Sequence, residues 1–385
     1  MDIYLDNAAT SHPKPPCVVE AVVRALTQIN ANPGRSGHKR AIAGAEALME
    51  CRQVLARMLA APDPMAISFA FNCTDALNLA IKGCLQPGDH VVSTRLEHNA
   101  VLRPLMTLQE MGLVEVTLAD PAPDGFVTPE ALRAALKKRT RLCVVGHASN
   151  VTGAIQPVAA IGGMLWEAGV PYLIDGAQAL GIQPVDVGAL RCAMYAFPGH
   201  KGLLGPQGTG GLYLDPGFAL GTLREGGTGS SSESMLQPQE RPERYESGTM
   251  NLHGIAGLLA GAQYVLENEL RLRAQERTRT AQLMEGLLGV PGITLYGDPD
   301  PRNRVGVVSF NVGDEPSGAV ADALDRLGFA VRGGLHCAPG IHSWLGTLER
   351  GAVRASPGHA TTAQEIDLFV EAVRRIAREG SDRIP

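Results

Sequence analysis

Short apolar runs alternate with longer amphipathic stretches between about Ile67 and Leu214. Ile67–Phe71, Val91–Ser93, Val114–Leu118, Leu142–Gly146, Tyr172–Asp175, Ala193–Phe197 and Gly211–Leu214 read as strands. Their apolarity is nearly continuous, which suits strands buried on both faces. Thr74–Leu85, Pro129–Lys138 and Val158–Ala168 carry helical spacing between them. The alternation predicts an α/β fold with a mostly parallel seven-stranded sheet covered by helices. Ligands of such sheets bind at the carboxyl ends of the strands.

Either side of this region the pattern changes. A Pro/Gly-rich arm gives way near Cys17 to a helical pattern. Gly226–Glu246 is rich in Gly, Ser, Glu and Pro and reads as an exposed excursion. A long helix is predicted over His253–Leu288. Val305–Val312, Phe329–Arg332 and Ala352–Ala355 read as strands, with helices at Gly318–Leu327 and Thr362–Glu379. These make a smaller α+β lobe. The expected division is a large domain over 16–254 and a small one built from 1–15 and 255–385.

A chain of 385 residues has room for two such lobes. With 45% hydrophobic and 19% charged residues, it has the composition of a soluble globular protein. The net charge of −5 gives no reason to expect nucleic acid or an anionic membrane as partner. No apolar run is long enough to span a bilayer, and the N-terminus lacks the pattern of a signal peptide. The seven cysteines are odd in number and form no CxxC pair. That argues against a disulfide framework and a zinc cage, and makes the cytoplasm the expected compartment, with no metal.

Five segments carry candidate chemistry. Phe197-Pro198-Gly199-His200-Lys201-Gly202 puts a lysine in a turn after a strand. Its amine could form a Schiff base with an aldehyde, although a loop lysine alone is more often a surface charge. Tyr172-Leu173-Ile174-Asp175 delivers a carboxylate to a strand end, where it could hold a pyridine nitrogen protonated. Gln178 is placed to reach the same ring. Read alone, Asp175 is equally a helix cap. Asn72-Cys73-Thr74-Asp75 opens a helix whose N-terminus suits a phosphate, or is simply capped. His98, in Leu96-Glu97-His98-Asn99-Ala100, could lie on a planar cofactor and exchange protons. Asn150 also follows a strand; by itself it is an ordinary turn residue. Together these residues specify a site for pyridoxal 5'-phosphate (PLP) far better than any one of them.

With these segments the sequence resembles the class V aminotransferase-fold enzymes, and among them the cysteine desulfurases of the NifS/SufS/CSD type. The resemblance runs from Leu5-Asp6-Asn7-Ala8-Ala9-Thr10 to Arg354-Ala355-Ser356. It implies a PLP-dependent transferase fold like that of aspartate aminotransferase, with PLP as cofactor and L-cysteine as substrate. It makes Lys201 the Schiff-base lysine, Asp175 and Gln178 the ring contacts, His98 the stacking and proton-exchanging histidine, and Thr74 and His200 phosphate contacts. Asn150 would touch the ring or the substrate. Thr249, in Glu246-Ser247-Gly248-Thr249, matches a threonine that reaches the neighbouring subunit's phosphate, implying a homodimer. Arg354 matches the arginine that holds the substrate carboxylate. Arg332-Gly333-Gly334-Leu335-His336-Cys337 resembles the short catalytic loop of type II desulfurases, which makes Cys337 the sulfur acceptor and Arg332 a substrate contact. Pro198 and Leu335 depart from the family pattern, Leu335 replacing the first histidine of a His-His-Cys triplet. Alternatives are selenocysteine lysis or another PLP reaction on this fold, such as transamination or C–S cleavage, and, from another class, a weakly active sulfur-relay protein; an acceptor protein for the sulfur is an expected partner.

Overall fold

The computed structural model describes residues 2–33, 36–230 and 232–384. The chain opens with β1 (Ile3–Tyr4), α1 (Pro16–Arg24) and α2 (Lys39–Met58). Strands β2 (Ile67–Ala70), β3 (His90–Thr94), β4 (Glu115–Ala119), β5 (Thr140–Gly146), β6 (Tyr172–Asp175), β7 (Met194–Pro198) and β8 (Gly210–Leu214) form one sheet, ordered β2-β8-β7-β6-β5-β3-β4. Only β8 runs against the others, pairing antiparallel with both β2 and β7. The crossovers from β2 to β6 are α3 (Cys73–Cys84), α4 (Asn99–Glu110), α5 (Pro129–Ala135) and α6 (Val158–Glu167).

Neighbouring strand residues feed opposite cores. Val92, Val145 and Ile174 enter a cluster with Val54 and Leu55 of α2 and Leu165 of α6. Val91, Val144 and Leu173 enter another with Leu77 and Ile81 of α3. Both faces are therefore covered, which is why these strands read as unbroken apolar runs. Gly176 follows Asp175 where the backbone turns under Tyr195. A Cβ there would lie 2.1 Å from a Tyr195 ring carbon, so only glycine fits.

The remaining elements are α7 (Leu252–Leu288), β9 (Ile293–Tyr296), β10 (Val308–Val312), α8 (Ser317–Arg326), β11 (Phe329–Ala330), β12 (Arg332–Gly334), α9 (Pro339–Trp344), β13 (Ala352–Ala355) and α10 (Ala363–Glu379). A four-stranded antiparallel sheet runs β12-β13-β10-β9. Its core joins Phe310, Phe369 and Leu283 to Ile3 and Leu5 of the N-terminal arm, because β1 pairs in parallel with β11. Helix α7 is continuous across position 254 and serves both sheets.

Three expected elements differ. The strand expected over Val305–Val312 begins at Val308. Val305 and Val307 instead pack with Ala8 and Ala148, and the Val305 N–H donates to Gly153. Phe329–Arg332 is two strands in two sheets, divided at Val331. The helix expected over Pro129–Lys138 ends at Ala135, where Leu136 turns extended. Strand β9 was not foreseen; only one of its four residues, Tyr296, is fully buried. No helix among the described residues is long and apolar enough to cross a membrane.

The excursion expected over Gly226–Glu246 is anchored at its end. Glu246 pairs with Arg52 of α2, with Arg52 Nη1 2.7 Å from Glu246 Oε1, and also accepts the Phe69 N–H at 2.5 Å. The two side chains are only 5% and 6% exposed. Removing one partner of a buried pair strands the other charge. Glu246→Ala is expected to cost about 3–5 kcal/mol, read as a lower urea midpoint; an unchanged midpoint would show that Arg52 is satisfied without it.

Candidate active site

Six strands of one sense end on the same sheet edge, and five of them deliver the candidate residues. Asn72–Thr74 follow β2, Glu97 and His98 follow β3, and Asn150 follows β5. Asp175 ends β6, with Gln178 just beyond it, and His200 and Lys201 follow β7. They line one cavity of about 250 Å³ together with Ala8 and Ala9 of the arm. Arg332 and Arg354 close it from the smaller sheet. Nine of the eleven expected site residues thus meet: Thr74, His98, Asn150, Asp175, Gln178, His200, Lys201, Arg332 and Arg354.

Each is held by short-range bonds. Asp175 Oδ1 accepts the Ala177 N–H at 2.9 Å and the Cys73 thiol at 3.4 Å. Gln178 Nε2 donates to the Ala8 carbonyl at 3.1 Å. Asn72 caps α3 by accepting the Asp75 N–H at 2.9 Å, which sets Thr74 in the first turn. His98 caps α4, its Nδ1 accepting the Ala100 N–H at 3.0 Å. Burial lowers the His98 pKa, as it does that of the Lys201 amine. Arg354 lowers the latter further and Asp175 opposes the shift. A lysine disposed to lose its proton is a nucleophile and a base.

Cys337 and Thr249 lie outside the cavity lining. Cys337 is exposed, and it follows His336 in two successive left-handed residues, φ 49° and 58°. The loop carbonyls are tied down: His336 O accepts Asn150 Nδ2 at 2.6 Å, and Cys337 O accepts the Asn99 N–H at 2.7 Å. Asn150 therefore supports the Cys337 loop in addition to lining the cavity. Thr249 is exposed in a separate groove with Phe71, Arg224 and Asn251.

Four further residues belong to this constellation. Asp6 pairs with Arg354, Oδ1 to Nη2 at 2.8 Å. Cys73 reaches Asp175. Glu97 is buried in the wall, its carboxyl pushed up to about 8 by burial although Thr94 and Gly146 bond to it. His336 is buried under the loop, 5.7 Å from the ring of His342. Asp6 and Glu97 stood inside quoted motifs, and only their partners reveal what they do.

The chain matches the aminotransferase class-V family over residues 3–369 and belongs to it. It is 35% identical to a probable cysteine desulfurase of Methanothermobacter thermautotrophicus, over 98% of this chain and 95% of that one. It is equally identical to a cysteine desulfurase of Pectobacterium atrosepticum, over 97% and 93%. The apo structure of cysteine desulfurase from Thermococcus onnurineus superposes with a TM-score of 0.89 at 31% identity, over 98% and 95%. Enzymes of this family are generally PLP-dependent.

Burial also pushes further histidines down, among them His147, His200 and His342 to about 4 and His336 to about 2, the last helped by Arg354. An imidazole whose folded pKa is depressed adds stability above its ordinary value of 6.5 and loses it as pH falls toward the folded value. Melting temperature should therefore drop between pH 6.5 and 4, and His342→Gln should flatten the drop. A profile as steep in His342→Gln as in the wild type would assign the acid sensitivity elsewhere.

Proposed function

We propose that this chain is a PLP-dependent cysteine desulfurase that converts L-cysteine to L-alanine and keeps the sulfur on Cys337. The observation that carries the reading is one cavity where Lys201, Asp175 and Arg354 converge beneath the Cys337 loop. The residues fit PLP. His200 Nδ1 is buried without a hydrogen-bond partner, an orphan that a phosphate would satisfy. Asp175 would face the pyridine nitrogen, Gln178 the ring oxygen, and His98 the ring face. Thr74, His200 and the α3 N-terminus would hold the phosphate. PLP, when bound, supplies an aldehyde for amines and a ring that accepts electrons from a breaking bond.

The remaining steps belong to the protein. Arg354 takes the substrate carboxylate; its Nε is buried and free to donate. Lys201 carries the α-proton and returns it. His98 uses Nδ1 as an acceptor, which leaves Nε2–H as the group available to the cavity. Cys337, as thiolate, attacks the substrate sulfur. An S–S bond forms as the C–S bond breaks, the β-carbon keeps the electron pair and takes a proton, and alanine leaves. The persulfide on Cys337 then awaits a thiol of an acceptor protein. An exposed Cys337 suits that second transfer, and loop movement suits the first.

Thr249 fits the reading through a homodimer in which it completes the partner's phosphate site. We place the lobe division at 254, with residues 1–15 joining 255–385, and the protein in the cytoplasm. L-Cysteine is the substrate of this reading; L-selenocysteine shares the carboxylate and amine contacts.

Holoenzyme given L-cysteine should release alanine and carry one extra sulfur on Cys337 by peptide mass spectrometry. Cys337→Ser should retain PLP and lose turnover on L-cysteine by at least about a hundredfold, because serine is a far weaker nucleophile toward sulfur. Wild-type turnover in that variant, or persulfide on Cys73, would overturn the assignment. Lys201→Ala should remove the borohydride-reducible link to PLP while leaving the fold intact; a link that persists would move the anchor elsewhere.

A further inference from the structure

We propose that Cys73 is a positioning residue for Asp175, its thiol fixing which carboxylate oxygen faces the ring nitrogen of the cofactor. This rests on Asp175 as the partner of that nitrogen. Asp175 ends β6 with its backbone clamped on both sides. Its carbonyl accepts the His147 N–H at 2.9 Å, and the Gly176 N–H that follows donates to the Ala196 carbonyl at 2.8 Å. Only the side-chain torsions are left to decide where the carboxylate points. A carboxylate has two equivalent oxygens, and a single donor holds one of them without fixing the plane of the group. Asp175 meets two donors on the same oxygen. The Ala177 N–H reaches Oδ1 at 2.9 Å from the turn after the strand. The Cys73 thiol reaches it at 3.4 Å from the first turn of α3. Among the described residues no hydrogen bond falls on Oδ2, so that oxygen is the one left for the ring.

A thiol suits this task in two ways. It is a weak donor, so it orients Oδ1 while drawing little charge from the carboxylate. Oδ2 then keeps the charge that a protonated ring needs opposite it. The group also stays a thiol. Burial raises its pKa well above the ordinary value, and the Asp175 charge raises it further. Both side chains are buried, and both line the cavity. The donor itself is firmly placed, because Asn72 caps α3 one residue earlier by accepting the Asp75 N–H. Cys73 therefore stands inside the cavity as a protonated hydrogen-bond donor, whereas the thiol of Cys337 is exposed on its loop. The two cysteines divide the work: one holds the ring's partner, the other takes the sulfur.

The test compares wild type with Cys73→Ala, Cys73→Val, Cys73→Ser and Cys192→Ala by two measurements. One is the magnetic resonance shift of an isotopically labelled ring nitrogen in the holoenzyme. The other is PLP affinity, by titration of the full chain. Cys73→Ala and Cys73→Val, one smaller than cysteine and one filling its space, both lack the donor. Each should move the shift toward that of an unprotonated pyridine and weaken PLP about threefold to tenfold, the worth of one neutral hydrogen bond. Should one of the two fail to fold, the other carries the same expectation. Cys73→Ser keeps a donor and should stay near wild type in both measurements. Cys192→Ala removes a buried thiol outside the cavity and should change neither. A wild-type shift in Cys73→Ala or Cys73→Val overturns the proposal. So does a shift in Cys73→Ser as large as in Cys73→Ala, which would make residue 73 a filler of space, or one as large in Cys192→Ala. If wild type carries a protonated ring nitrogen while the variants fail these expectations, only the role of Cys73 falls. A wild type that binds no PLP, or holds its ring nitrogen unprotonated, takes the reading of Asp175 down as well.

Discussion

A guanidinium closed off from water organises this site. Arg354 has a side chain only 2% exposed, and burial works against its charge. A buried charge persists where fixed partners surround it. The chain brings those partners from far apart: the Asp6 carboxylate from the N-terminal arm and the Asn150 carbonyl from the loop after β5. Asn150 in turn donates to the carbonyl of His336, one residue before Cys337. One cation therefore ties together the arm, the large sheet, the small sheet and the Cys337 loop. Its pairing with Asp6 also explains why the first strand of the chain is built into the lobe formed by the last.

The chemistry opposite Arg354 follows from strand sense. Parallel strands of one sheet deliver their carboxyl ends to a single edge, and the helices that follow begin there. Helices α3 and α4 start within a few residues of β2 and β3, so their N-terminal N–H groups face the cavity region. Asp175 is held there by a backbone N–H and a thiol rather than by a cation. Lys201 is pushed toward its neutral form by burial and by the nearby charge of Arg354. A carboxylate available for a cationic ring and an amine inclined to be neutral are what PLP chemistry asks of its pocket.

Much of this was legible in the sequence, for reasons that particular residues make clear. Tyr172–Asp175 was read with its observed ends, because a strand buried on both faces is apolar until the polar residue that ends it. The other core strands were placed within a residue or two. The smaller lobe was less legible. Its strand β9 is only partly buried, and Phe329–Arg332 hides a change of partner that periodicity does not record. Within the site, residues at strand ends and in distinctive motifs stood out. Asp6 did not, because its meaning lies in a contact 348 positions away. Glu97 did not either, since a carboxylate beside a histidine looks solvated until the fold buries it.

Leu335 shows how a departure from the family pattern can be accommodated. Its position lies in the turn that presents Cys337, and its carbonyl accepts the Ala338 N–H at 2.9 Å. That bond is made by the backbone and needs no imidazole. The imidazole that matters to the turn is His336, whose Nε2 meets the Ala352 carbonyl at 3.0 Å. A carbonyl only accepts, so Nε2 must carry the proton, and Nδ1 is left without a partner. His336 and Cys337 both occupy the left-handed region, which side chains with a Cβ enter at a cost of about 1–3 kcal/mol each. Three tethers hold them there: Asn150 on one carbonyl, Asn99 on the next, and Ala352 on the buried ring. Cys337 is thus presented outward by a strained turn, and one of its restraints, Asn150, also lines the cavity. Loosening any tether relaxes the turn, and that freedom is what a thiol needs if it must reach inward for sulfur and outward to hand it on.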